Sequence, residues 1–199
     1  MNEQLRPPTL PLSTQAAEGL PRRRWTTAEL EAMVRAHILD ESERIELIGG
    51  DVVPMPPKGN RHELVADELM QFWIPRLVPE IRISNERQFN LDAETYTTPD
   101  LLVRPVAIKI PDVRGDTALL VVEIADSSLD YDRKTKAQAY ARFGVHEYWV
   151  IAARSLITTV YRDPSPAGYR FQQDFPPSEV LTPLLAPSLA LRLGELDLG

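Results

Sequence analysis

The chain contains no cysteine in its 199 residues, which excludes disulfides, thiolate metal sites and a cysteine nucleophile. Histidine is scarce: His37, His62 and His146 are the only three, and their spacing does not match a zinc site. Its nine glycines nowhere gather into a phosphate-cradling loop, and no serine elbow occurs. P-loop nucleotide hydrolysis, serine hydrolase chemistry and zinc peptidase chemistry therefore lack support. No apolar run is long enough to cross a bilayer, and the opening segment MNEQLRPPTLPLSTQAAEGLPRRRW lacks the apolar stretch of a signal peptide, so a cytoplasmic protein with no membrane partner is the expectation. Basic residues are in the minority, 22 against 29 acidic, for a formal charge of −7. A protein that passively coats DNA needs a net basic surface, so that class is disfavoured. A nuclease tolerates the balance, because its carboxylates are neutralised by a metal while local groups such as Arg82 and Arg87, or Arg133, Lys134 and Lys136, meet phosphates.

What is present divides into an arm and a body. Residues 1–24 are rich in proline and polar residues, carry no hydrophobic period and end in Arg22-Arg23-Arg24, which predicts a flexible arm. Residues 25–199 contain no linker and are expected to form one domain. Thr26 to Glu29 matches a capping box, with Leu30, Met33 and Val34 at helical spacing, predicting a helix over roughly 27–37. RIELIGGDVVPM reads as two strands joined at Gly49-Gly50, a pair suited to the positive φ of a tight turn. Asn60 followed by Glu63 is expected to cap a second helix, RHELVADELMQFWIPRL, whose His62, Ala66, Leu69 and Trp73 share one face. Residues 81–91 and 99–103 read as strands, and ALLVVEIA as a strand covered on both faces. A polar helix over about 131–143 stops at Gly144, and EYWVIA supplies another buried strand, so strand, helix and strand form a parallel crossover. LITTVYR and YRFQQDF suggest a hairpin, and the apolar, proline-bearing end reads as packing around the core.

Three residues in that order carry chemistry. A glutamate inside ALLVVEIA has to be desolvated or paired, and burying an isolated carboxylate is costly enough that Glu123 needs a cation or a proton. Asp100 follows Pro99 at the start of an apolar strand; taken alone it reads as a strand-entry aspartate capping a backbone donor. At about 100° per residue, Lys136 shares a helix face with Tyr140 and Phe143, whereas Lys134 lies on the far side with Gln138 and Arg142. Lys136 is thus expected to face inward towards Glu123, with Asp132 as an alternative partner one turn back. Neighbouring carboxylates make a hard-oxygen pocket for Mg²⁺ or Mn²⁺, and an ammonium stabilises charge on a phosphate. Glu46 and His62 are supporting candidates, each with ordinary structural uses as a hairpin glutamate and a helix-start histidine.

The order ELIGGDVVPM, a helix starting at His62, PDLLV, LLVVEIADSS and DRKTKAQAYARFGVHEYWVI resembles the Uma family of putative restriction endonucleases, within the PD-(D/E)XK nuclease superfamily. The resemblance runs from Trp25 to the C-terminus and is most specific from Asp132 to Trp149. It implies a restriction-endonuclease-like α/β (α+β) fold, a central mixed β-sheet flanked by helices, with the site where two strands diverge. It implies a Mg²⁺ (or Mn²⁺)-dependent endonuclease acting on DNA, with Asp100 and Glu123 as metal ligands and Lys136 catalytic; Glu46, His62 and Tyr140 are expected in support. Ala125 stands where the superfamily's strand lysine belongs, and Lys136 from the following helix fits that role. A homodimer is expected by analogy with nucleases that cut two strands. The alternative is a nuclease-fold protein without catalysis, acting as a nucleic-acid-binding or regulatory module.

Overall fold

A computed structural model describes residues 23–199. The arm expected over 1–24 lies outside the described residues except for Arg23 and Arg24, which are ion-paired to Glu29 and Glu94. In chain order the elements are α1 (Thr27–Arg35), β1 (Ile45–Ile48), β2 (Asp51–Pro54), α2 (Asn60–Trp73), β3 (Ile81–Asn85), β4 (Phe89–Asp92), β5 (Thr95–Thr97), β6 (Leu101–Pro105), β7 (Leu120–Ala125), α3 (Leu129–Tyr131), α4 (Ala137–Arg142), β8 (Glu147–Ala152), β9 (Thr158–Ser165) and β10 (Gly168–Phe175). A π-helical turn over Asp132–Lys136 joins α3 to α4.

The architecture is mixed α/β, as expected. Six strands in the order β10-β9-β8-β7-β6-β3 form the central sheet, and β2-β1-β5-β4 form a smaller one. β7 and β8 run parallel, with the α3–α4 segment as their crossover, and the other pairs of the central sheet are antiparallel. The period of two along β7 sorts its side chains: Leu120, Val122 and Ile124 pack with Val65, Leu69 and Trp73 of α2, while Val121 and Ala125 face Ala137 and Tyr140 of α4. Glu123 alternates with the latter set and so points towards the crossover helix. Leu181, Ala186, Leu189, Leu191 and Leu193 close the α2 side of the core, the packing role expected of the C-terminal segment. Each large apolar side chain fully withdrawn from water there contributes about 1.5–3 kcal/mol before conformational entropy is counted.

Local signals were borne out where their chemistry is self-contained. Thr26 and Glu29 form the reciprocal capping box, and Gly49 and Gly50 turn the β1–β2 hairpin at φ of 59° and 86°. Three expectations are corrected. Asn60 is the first residue of α2 rather than its cap; Gly59 occupies the cap and offers no side-chain acceptor. Residues 81–91 are two strands in different sheets, because the chain breaks at Glu86, which adopts a φ of 48°. The helix expected over 131–143 is composite, with the π turn inside it, and β5 had no counterpart in the sequence reading. Among the described residues no helix is long and apolar enough to cross a membrane.

Candidate active site

β7 delivers Glu123 and the turn just before β6 delivers Asp100, where these adjacent strands meet the β1–β2 hairpin. The crossover helix brings Lys136, whose Nζ lies 2.9 Å from Glu123 Oε1, 3.0 Å from Glu46 Oε1 and 3.7 Å from Asp132 Oδ1. Lys136 is 3% exposed, while Lys134 is out in solvent beside Asp130, so the helical-face argument chose the inward lysine correctly. The π turn widens the backbone over this stretch and carries both Asp132 and Lys136 inward, a feature frequent at functional sites. The Tyr140 hydroxyl bridges Glu123 Oε1 at 3.0 Å and Thr97 Oγ1 at 2.9 Å.

Asp100 is tied on both oxygens. Its Oδ2 accepts the Ile124 backbone N–H at 2.6 Å, the capping contact that an isolated strand-entry aspartate would make. Its Oδ1 receives Lys58 Nζ at 2.5 Å and lies 3.0 Å from His62 Nε2. With Nε2 directed at Asp100, His62 Nδ1 is buried and has no hydrogen-bond partner among the described residues. Glu46 accepts the Thr98 backbone N–H at 2.9 Å, and Asp132 receives the Ser128 hydroxyl at 2.5 Å.

All six residues singled out from the sequence (Glu46, His62, Asp100, Glu123, Lys136 and Tyr140) therefore converge. Sequence reasoning missed Lys58 and Tyr131, and it weighed Asp132 only as a helix ion pair. Lys58 lies in the loop MPPKGN, where nothing in the sequence separates it from a solvated lysine; only its 9% side-chain exposure marks it. Asp126, the residue that follows β7, lines the cavity and is paired with Arg154 at 2.8 Å. The cavity holds about 290 Å³ and opens beneath the Pro54–Gly59 segment, with Tyr131 and the residues above on its walls.

Charge is unevenly matched inside. Burial lowers the pKa of Lys136, but Glu123, Glu46 and Asp132 outweigh it and hold the ammonium well above its ordinary pKa. Burial pushes the Glu123 carboxyl well above the usual range, and the charges of Asp100, Asp132 and Glu46 add to the rise against the single opposing ammonium. Asp132 is raised by burial in the same way. Asp100 goes the other way: although burial opposes ionisation, the hydrogen bond from His62 and the Lys58 ammonium hold its pKa down. Lys58 is held charged by Asp100 and Glu86 despite its own burial.

The donor set suits a hard divalent cation. Three carboxylates, Glu46, Glu123 and Asp132, surround the one ammonium of Lys136, leaving a surplus of negative charge that a divalent ion would meet. Both Lys136 and Tyr140 engage Oε1 of Glu123 and neither uses Oε2. Among the described residues no three carboxylate or imidazole groups form a ready-made cage. Mg²⁺ does not require one, since it is commonly held by one or two carboxylates and keeps several waters.

A search among curated proteins gives no match. A crystal structure of a putative nuclease of the DUF820 group from Anabaena variabilis is similar in fold, at 18% sequence identity and a TM-score of 0.63, covering 82% of this chain and 94% of that one. The family model described as "Uma2: Putative restriction endonuclease" matches residues 28–194, and the chain belongs to that family.

Proposed function

We propose that the protein is a divalent-metal-dependent endonuclease that hydrolyses phosphodiester bonds of DNA, with Asp100 and Glu123 holding Mg²⁺ or Mn²⁺. When bound, the cation supplies Lewis acidity towards the phosphate and lowers the pKa of its water towards neutrality. His62 and the Ile124 backbone N–H orient Asp100, and Tyr140 orients Glu123. Lys136 presents its ammonium to the charge that develops on the scissile phosphate, and Glu46 and Asp132 fix its position. Two copies of the chain would serve two strands, which makes a homodimer part of the proposal.

The observation that carries this reading is the meeting of Asp100, Glu123 and a helix-borne Lys136 at one cavity. The competing reading, a nuclease fold kept for binding, draws on the near-complete withdrawal of Lys136 among carboxylates. Supercoiled and single-stranded DNA, each incubated with the purified protein in Mn²⁺, in Mg²⁺ and in chelator, separates the two. Cutting that needs metal and vanishes in Glu123→Ala supports the nuclease. DNA retained but never cut selects the binding module, and cutting that persists in Glu123→Ala overturns the assigned site.

A further inference from the structure

Lys58 is a largely buried cation of the cavity that no part of the proposed chemistry uses. It projects from the loop between β2 and α2, where Pro56 and Pro57 stiffen the backbone, and its stem is almost withdrawn from solvent. Its ammonium sits between two carboxylates of different kinds. Asp100, at 2.5 Å, is buried and assigned to the metal; Glu86, at 2.7 Å, is 39% exposed and has no place in that assignment.

On Asp100 the ammonium shares Oδ1 with His62, while Oδ2 is already committed to the Ile124 N–H. A carboxylate so engaged cannot also take a divalent cation at Oδ1 without pressing two positive centres together in a partly desolvated pocket. Glu86 gives the displaced ammonium somewhere to go without crossing open solvent, because it already contacts Lys58. We propose that Lys58 is a positioning residue that occupies Asp100 in the metal-free protein, competes directly with the divalent cation for that carboxylate, and is transferred to Glu86 when the cation binds. The inference rests on the metal assignment made above. It gives Lys58 a definite consequence: this chain holds Asp100 in place without metal, at the expense of metal affinity.

The test is equilibrium binding of Mn²⁺ to the full chain, followed by the electron paramagnetic resonance signal of free Mn²⁺, without DNA. Parent, Lys58→Met, Lys58→Gln, Glu86→Gln and Asp100→Asn are compared, each checked for parental circular dichroism. Both Lys58 variants are expected to bind at least about tenfold more tightly, the scale set by removing a unit charge in contact with the ligand. Glu86→Gln is expected to bind more weakly, having lost the alternative partner, and Asp100→Asn more weakly still. Binding by the parent that is unchanged or weaker in both Lys58 variants overturns the competition while leaving the metal site standing. Absence of Mn²⁺ binding in every variant, with folding intact, overturns the metal assignment and this inference together.

Discussion

Glu123 shows how a single misplaced polar residue is explained by its neighbours. It stands in a strand whose six residues are all buried, with one ammonium in contact and three further carboxylates raising its proton affinity. Its pKa is therefore higher in the folded protein than in the unfolded chain, so the folded state binds the extra proton. Stability is lost as pH rises from the ordinary glutamate range through the folded pKa. Replacing the group with a neutral isostere removes that loss. In chelator, Glu123→Gln should melt above the parent, with a margin that widens as pH rises above the ordinary glutamate range. Thermal unfolding at a series of pH values checks this, and a margin that narrows with rising pH would contradict the charge surplus described for the cavity. The same residue was legible in sequence because a carboxylate inside an apolar run has few structural excuses. Lys58 was not, because a lysine in a proline-rich loop has many.

At the scale of elements, legibility followed how local the determining physics is. The capping box at Thr26, the Gly49-Gly50 hairpin and the inward face of the Lys136 helix depend on residues a few positions apart, and each was readable. The break at Glu86 depends on two stretches of one continuous segment pairing in different sheets, and the π turn on how Lys136 is drawn to Glu46 and Glu123 on other elements. Neither pairing leaves a mark in a window of ten residues. One close approach between elements is also invisible in sequence: a Cβ at Gly115 would fall 2.0 Å from the Phe143 carbonyl oxygen, just past the end of α4. Backbone on both sides leaves that contact little room to relax. Gly115→Ala should therefore destabilise the protein by about 2 kcal/mol or more in urea unfolding, with the loss centred on the helix that carries Lys136. Parental stability in that variant would mean the approach is looser than described.

At the scale of the molecule, the two sheets and the crossover helix act as a frame that gathers residues from Glu46 to Lys136 around one cavity. The frame holds carboxylates in excess of cations, a costly arrangement for folding and a useful one for binding a divalent ion. Linkage turns that into a measurable stability: a ligand that binds only the folded state raises its melting temperature with concentration. Millimolar Mg²⁺ or Mn²⁺ should raise the melting temperature of the full chain by several degrees, and Asp100→Ala should abolish the rise. An equal rise in that variant would place the bound ion elsewhere.

In the proposed chemistry the lysine is Lys136 from the helix, and Ala125 stands on the strand two residues after Glu123. Lys134 and Lys136 are neighbours on that helix, one in solvent and one against Glu123, so each serves as the other's control. The decisive measurement is the metal-dependent rate of DNA cleavage by Lys136→Ala and Lys134→Ala beside the parent. A loss of roughly a hundredfold or more in Lys136→Ala, with Lys134→Ala close to the parent, is the predicted result. Undiminished cleavage by Lys136→Ala would contradict it.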